Sequence, residues 1–267
     1  MEAFLYVGIA LFCMVFFRLN LLTLMGSSAA FIMGALTFYS FQWQGLVLLA
    51  VFFLTSSFLT KWKREVKMDE RAEPFEDKKG RTAGQVFANG GASTVAAVGA
   101  IYTADPIWLL MFAGAIATAT ADTWASEVGI LSKAKPFHVK EWRKVEAGLS
   151  GAVTWLGTSA AILGAAAIGG SYYLLYNEGS GSLTLTGSLI IIFAGFAGNL
   201  ADTFFGAWFE QKYYCQLCKT ETESMWHCKK KTVRIFGLPW VTNNLVNFSS
   251  TIIGAFIAGG LYIWIVK

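Results

Sequence analysis

The sequence predicts an all-α, polytopic membrane bundle of about eight helices, and three observations carry that prediction. Hydrophobic residues make up 55% of the 267 residues and charged residues 14%, against about 25% charged in a typical soluble domain; the mean hydropathy is +0.51. The apolar residues gather into stretches near the roughly 20 residues that cross about 30 Å of hydrocarbon. All but one of the basic residues fall in or beside alternate connections between those stretches. The 22 Phe, 10 Trp and 27 Gly fit the same class, since aromatic side chains settle at membrane interfaces and glycines let helices approach closely. Such a composition excludes a disordered chain, a nucleic-acid-binding domain and a small disulfide scaffold.

In chain order, the apolar stretches cover residues 3–17, 21–38, 44–60, 82–103, 107–129, 148–176, 187–211 and 240–265. The first three form an N-terminal accessory region, residues 1–60, with no acidic residue after Glu2. The first stretch lacks a basic leading segment and a small-residue cleavage site before Arg18, so it reads as a retained helix rather than a signal peptide. The last five form a catalytic membrane domain, residues 61–267. Its polar connections are Lys61–Gly80, Ile130–Ala147 and Lys212–Leu238; with Arg18 and Arg81 they hold every Lys and Arg except Lys267. The opposite connections, around Tyr39–Gln44, Tyr102–Pro106 and Asn177–Thr186, hold none. Eight crossings place all the basic segments on one side. The positive-inside rule makes that side the cytoplasm and puts both termini outside a multi-pass cell-membrane protein.

Spans four to eight turn polar in the half that faces the basic connections. Arg81, Gln85 and Asn89 are spaced by four and share a helix face. Thr118, Asp122 and Ser126 repeat the spacing, with Glu127 on a neighbouring face, and Ser150, Thr154 and Thr158 do the same. Asn199, Asp202, Gly206 and Glu210 fall within about 80° of arc, and Asn244, Asn247 and Thr251 within about 60°. Asp122, Asp202 and Asn89 are expected about 12–15 Å below the ends of their helices. Five polar faces at a similar depth describe a cavity wetted from the cytoplasm.

Ionisable residues inside a span cost several kcal/mol and mark function by default. Neither the Asp122 nor the Asp202 span contains a Lys or Arg. Two such carboxylates either become neutral or share a cation, and Mg²⁺ suits carboxylate and amide oxygens. Ala121-Asp122-Thr123 recurs as Ala201-Asp202-Thr203, each after a glycine-rich span of opposite direction. This is the pattern of a parallel two-helix repeat, which would set the two carboxylates face to face. A basic rim of Arg81, Lys133, Lys140, Arg143, Lys144 and Lys212 favours a phosphorylated substrate. No GxxxxGK[ST], GxGxxG or HExxH signature occurs, and His138 and His227 both lie in connections.

Five segments, GRTAGQVFANGGAS (80–93), TATADTWASEVG (118–129), SGAVTWLGTSAA (150–161), AGNLADTFFGAWFEQ (197–211) and PWVTNNLVNFSS (239–250), resemble the integral membrane family that contains plant phytyl-phosphate kinase of the tocopherol pathway. The resemblance runs from about residue 80 to the C-terminus, with the motifs in family order. It implies a nucleotide-dependent, CTP-using kinase that converts an isoprenoid monophosphate to the diphosphate. It carries over onto Arg81, Gln85, Asn89, Asp122, Ser126, Glu127, Thr154, Asp202, Gln211, Asn244 and Asn247. SGAVTWLGT is poorer in glycine than the family's stretch, and Thr203 stands where Ser is commoner. Asp122 and Asp202 are then the Mg²⁺ ligands with Glu127 in support, and Arg81, Gln85, Asn89, Ser126, Thr154, Asn199, Gln211, Asn244 and Asn247 bind substrate and phosphate. The partners are a nucleoside triphosphate and an isoprenoid phosphate lipid. Rival readings are a CDP-lipid nucleotidyltransferase, an isoprenoid alcohol kinase with Glu127 as base, and a transporter of an anionic lipid or metabolite.

One connection carries a separate signal. Cys215-x2-Cys218 is followed by His227-Cys228, a spacing that suits structural Zn²⁺, although adjacent ligands such as His227 and Cys228 are geometrically awkward. A redox pair and free thiols are the alternatives.

Overall fold

The computed structural model describes residues 2–63, 66, 80–177 and 181–266. Most of the first basic connection, including Arg64, Lys67, Arg71, Lys78 and Lys79, lies outside the described residues. Among the described residues there are seven helices: α1 (Glu2–Arg18), α2 (Leu24–Lys61), α3 (Ala83–Tyr102), α4 (Ile107–Gly129), α5 (Trp155–Tyr176), α6 (Gly181–Trp208) and α7 (Asn243–Val266). Of these α2, α4, α5, α6 and α7 are long and apolar enough to cross a membrane, and α1 is a shorter apolar helix. Helix length and apolarity thus mark five candidate spans among the described residues, where the sequence led to an expectation of about eight. Predicted spans two and three are the two limbs of α2, which breaks helical geometry at Gln42 (φ 55°, ψ −155°). In α3, Gln85, Asn89, Ser93 and Thr94 dilute the apolar character of a helix of 20 residues.

The all-α expectation is corrected in the connections, which contain eight short strands among the described residues. β1 (Phe137–His138) pairs antiparallel with both β2 (Arg143–Lys144) and β3 (Ala152–Val153). β4 (Lys212–Tyr214) pairs with β5 (Glu221–Thr222) and β8 (Val233–Phe236), and β6 (Trp226–His227) with β7 (Lys230–Lys231). Three span boundaries move accordingly. Residues 148–153 are loop and strand because Gly148 and Gly151 adopt left-handed φ of 89° and 85°, and Thr154 caps α5 by accepting from the Gly157 amide. Helix α6 ends at Trp208 and α7 begins at Asn243.

Helix α4 is the hub, packing against α2, α3, α5, α6 and α7. Lipid supplies no hydrophobic force between helices, so close packing of small residues must do so. A Cβ on Gly195 of α6 would stand 2.7 Å from the Ala117 Cβ, and one on Gly114 of α4 would stand 2.6 Å from the Ala258 Cβ of α7. Beyond these contacts, at the end of α4 away from the basic connections, Phe112 and Ile116 are fully buried with Leu48, Ile168, Ile190 and Ile191 in one apolar core. Exposed Tyr39, Trp43, Tyr102 and Trp264 mark that end of the bundle, and Trp62, Trp155 and Trp240 the other. This is the double aromatic girdle expected of a membrane-embedded bundle.

The N-terminal region is sewn to the rest by backbone. Arg81 N donates to Leu21 O at 2.8 Å, and Thr23 N donates to Arg81 O at 3.1 Å. Ser40 Oγ reaches Ala97 O at 2.7 Å, and Trp124 Nε1 reaches Thr55 Oγ1 at 3.2 Å.

The glycine contact is directly testable. Gly195→Leu should drive α4 and α6 apart and lower the melting temperature in detergent, at the ~1–3 kcal/mol typical of an overpacked core. Gly170→Leu, where an added Cβ meets nothing within 4 Å, should leave the melting temperature unchanged.

Candidate functional site

Six helices line one cavity of about 760 Å³ at the end of the bundle that carries the basic connections, α3–α7 through their polar faces and α2 through Ser57, Thr60 and Lys61. The glycine contacts set its geometry. Gly195 and Gly198 hold α6 tight against Ala117 and Thr118 of α4, so the next turn brings Asp122 level with Asn199 and Asp202. Asn199 Nδ2 donates to Asp122 Oδ1 at 3.4 Å. The Asp122 and Asp202 carboxyl groups lie within hydrogen-bonding reach of one another, and Ser250 Oγ of α7 donates to Asp202 Oδ2 at 3.0 Å. Counted along the observed helices, Asp122, Asp202 and Asn89 sit about 9–11 Å from the helix ends, shallower than the expected 12–15 Å.

The N-termini of α3, α5 and α7 all open into this cavity through Thr82 and Gln85, Thr154 and Gly157, and Asn243 and Asn244. A helix N-terminus presents unpaired amides and the positive end of the helix dipole. Thr82 and Gln85 form a reciprocal capping box, with Thr82 N donating to Gln85 Oε1 at 3.0 Å and Gln85 N to Thr82 Oγ1 at 3.3 Å. Thr154 Oγ1 accepts from Gly157 N at 3.0 Å. Gln85 and Thr154, binding candidates by their spacing, therefore also shape helix ends. One cavity thus combines two neighbouring carboxyl groups with anion-seeking helix termini.

The remaining sequence candidates distribute as follows. Arg81 lines the cavity and stacks its guanidinium over Phe52 and Phe53 at 5.6 and 5.7 Å. Burial lowers its proton affinity and the Glu127 carboxylate raises it again. Glu127 is buried in the cavity wall and Ser126 is exposed there. Asn89, Asn244 and Asn247 line the same space. The Asn247 Oδ1 and Ser57 Oγ atoms are buried without a hydrogen-bond partner among the described residues, two polar atoms of wall residues left unspent. Gln211 stands apart, in an adjoining pocket of about 380 Å³ with Glu210 and Glu223, its Oε1 accepting from the Tyr213 hydroxyl.

The basic rim differs from expectation. Arg81 and Lys61 line the cavity; Lys133, Lys140, Arg143, Lys144 and Lys212 do not. Lys212 is instead buried, its Nζ 2.9 Å from the Nε2 of fully buried His138, which ties the second basic connection to the third. Burial and mutual proximity lower the proton affinity of His138, and burial lowers that of Lys212. The N-terminal region, read as accessory, contributes Asn20, Leu21, Ser57 and Thr60 to the cavity wall.

Glu223 is not among the candidates suggested by the sequence. It lies in the third basic connection yet lines the cavity, and its Oε1 accepts from Ser150 N at 2.7 Å. Its signal was its position: an acidic residue between the Cys-x2-Cys and His-Cys pairs of a basic loop. Ser150 Oγ lies within hydrogen-bonding distance of both Glu223 Oε1 and, at 2.7 Å, Glu210 Oε2. One hydroxyl proton cannot serve two carboxylates. Burial first, then the neighbouring Glu223, raises Glu210 from its ordinary 4.5 to about 8, so at neutral pH Glu210 keeps a proton and can donate it to the serine oxygen.

That assignment has a pH signature. A folded-state pKa above the unfolded one gives stability that is complete below about pH 4.5 and is lost as pH climbs to about 8. Glu210→Gln mimics the neutral acid at every pH. The melting temperature of the wild type should therefore fall relative to that of Glu210→Gln as pH rises through this window, measured in detergent.

Residues 7–255 match the model of the family described as integral membrane protein DUF92. A membrane protein of Methanocaldococcus jannaschii described as uncharacterized, MJ0933, is 37% identical over 186 residues, covering 68% of this chain and 71% of that protein. Protein PGR of Arabidopsis thaliana is 30% identical over 256 residues, covering 88% of this chain and 87% of that protein. Protein VTE6, chloroplastic, also of Arabidopsis thaliana, is 25% identical over 241 residues, covering 87% of this chain and 63% of that protein. These relatives agree with the family resemblance carried by the five sequence motifs. No solved structure matches the chain.

Proposed function

The chain belongs to the DUF92 integral membrane protein family, and we propose that it is a prenyl-phosphate kinase working at the cytoplasmic face. In this reading it transfers the terminal phosphoryl group of a nucleoside triphosphate, CTP by the family resemblance, to an isoprenoid monophosphate. Eight crossings belong to the same proposal: α1, the two limbs of α2, α3 and α4–α7 each pass the bilayer, which gathers the basic connections on the inner side. So does the parallel repeat, with α4 and α6 as its equivalent helices.

The observation that carries the reading is the pairing of Asp122 with Asp202 in a cavity entered by the N-termini of α3, α5 and α7. Phosphoryl transfer asks a protein chiefly for positioning and charge neutralisation. The donor set fits Mg²⁺, a hard cation that takes oxygen ligands. Asp122 and Asp202 would hold it, with Glu127 nearby, and bound there it would offset charge on the nucleotide phosphates. Arg81 and the exposed amides of the helix termini would bind phosphate oxygens, while Asn89, Asn244 and Asn247 orient them. The acceptor needs no general base, because the second pKa of a phosphate monoester is about 6. Its oxygen attacks the terminal phosphorus, the bridging P–O bond breaks, and the nucleoside diphosphate leaves with the electron pair. The isoprenoid tail would stay in the bilayer.

Purified protein incubated with Mg²⁺, CTP or ATP, and phytyl, geranylgeranyl or farnesyl monophosphate should yield the isoprenoid diphosphate and a nucleoside diphosphate, identified by mass. A CDP-lipid with pyrophosphate would identify a nucleotidyltransferase instead. Asp122→Asn and Asp202→Asn should each slow transfer at least about a hundredfold, the scale of several kcal/mol of lost charge stabilisation. Neither should lower the melting temperature, since an amide relieves the carboxyl–carboxyl contact. Undiminished Mg²⁺-dependent transfer in either variant removes the metal assignment.

A further inference from the structure

The loop between β4 and β8 is built from strands of two residues and leaves Leu217, Met225 and Trp226 exposed. Strand pairs that short have little stability of their own. Yet this loop holds Glu223 against the Ser150 amide and hydroxyl at the cavity wall. Something other than an apolar core must fix it.

The four side chains of the Cys-His pattern meet at the base of the loop. The Cys215, Cys218 and Cys228 sulfurs and a ring nitrogen of His227 all lie within 4.8 Å of one another. His227 Nδ1 is 3.3 Å from the sulfurs of both Cys218 and Cys228, and the cysteines are not disulfide-bonded. A tetrahedral Zn²⁺ with bonds of about 2.3 Å to sulfur and about 2.0–2.1 Å to nitrogen separates its ligand atoms by about 3.6–3.8 Å. The observed cluster needs only small side-chain adjustments to reach that size.

The backbone answers the objection that His227 and Cys228 are neighbours in sequence. They stand at the β6–β7 hairpin, where Cys228 and Lys229 both adopt left-handed φ, 50° and 58°. Two-residue turns of this shape usually take Asn-Gly, because left-handed geometry costs an ordinary side chain about 1–2 kcal/mol. The turn lets adjacent side chains point at one centre. On the other side of the cluster, Lys219 is also left-handed (φ 57°), and its amide closes onto Cys215 O at 2.9 Å, wrapping the Cys-x2-Cys segment around the same point.

We propose that Cys215, Cys218, Cys228 and His227 bind a structural Zn²⁺ that clips the loop and thereby positions Glu223 at the cavity. All four ligand positions are filled by protein, the mark of a structural rather than a catalytic zinc. The proposal stands apart from the kinase reading, because it concerns a different ion and a different set of ligands.

The full-length protein purified in detergent without added metal should contain one zinc ion per chain by elemental mass spectrometry. Cys218→Ser and Cys228→Ser should lose it, and Cys13→Ser, in α1, should keep it. Replacement of zinc by Co²⁺ in the wild type should give the thiolate charge-transfer and strong d–d bands of a tetrahedral sulfur site, a reading that does not depend on any variant folding. Chelation should speed hydrogen exchange across residues 215–228 while leaving α4–α7 unchanged. Wild-type protein that carries no zinc and gives no tetrahedral cobalt spectrum, with its thiols freely titratable or joined in a disulfide, overturns the site.

Discussion

The constraint on which the structure turns is the contact between Asp122 and Asp202. Two carboxyl groups held together inside a helical bundle cannot both stay ionised without compensation, which must come from a cation, a proton or fixed dipoles. The surrounding sequence supplies the last of these. Ser250 and Asn199 donate to the pair, and α3, α5 and α7 direct their positive ends into the same space. The small-residue contacts of α4 with α6 and α7 bring the helices close enough for the carboxyl groups to meet. A bulkier residue at Gly195 or Gly198 would separate them more surely than any change to the carboxylates.

The connections complete the site rather than merely joining its helices. Ser150 lies just before β3, and Glu223 comes from a segment about 70 residues later; they meet over Glu210 at the end of α6. Buried His138 and Lys212 fasten the two connections together beneath. Gly151 packs over Ala207, where a Cβ would collide. Two small sheets therefore help to build the cavity wall, one through Ala152 and Val153 and the other by carrying the segment with Glu223, and their placement depends on a handful of polar contacts.

The five polar faces were legible in the sequence because helical periodicity is local: residues four apart share a face whatever the helix packs against. Asp122, Asp202, Asn89 and Asn247 line one cavity for that reason. The joining of the two limbs of α2 was not legible, because Gln42 carries no glycine or proline signal for its left-handed turn. The basic rim was misplaced for a different reason. Charge counting locates Lys133, Lys140 and Lys212 on one side of a membrane but says nothing of the strands that turn them away from the cavity or bury them. Glu223 was missed on the same account, since its approach to Ser150 depends on long-range pairing of very short strands, and such pairing leaves almost no periodic trace.

The two ends of α4 differ in a way that favours the proposed enzyme over a carrier. Toward the basic connections it presents Asp122, Ser126 and Glu127 to the cavity. Toward the other end it presents Leu110, Phe112, Ala113 and Ile116, each at most 2% exposed and locked against Leu48, Ile168, Ile190 and Ile191. Alternating access depends on a site near the midplane that can open to either side as one repeat rocks against another. Here the route beyond the carboxylates is a close-packed apolar plug about two turns deep, and neither α4 nor α6 places an ionisable side chain in it. Opening it would mean parting an interior packed like a crystal, with Tyr172 the one polar side chain among the buried residues of that core. A cavity closed off by this plug on the side away from the basic connections suits the proposed reaction, whose polar substrates would arrive and leave on one side while an apolar tail remains in the bilayer.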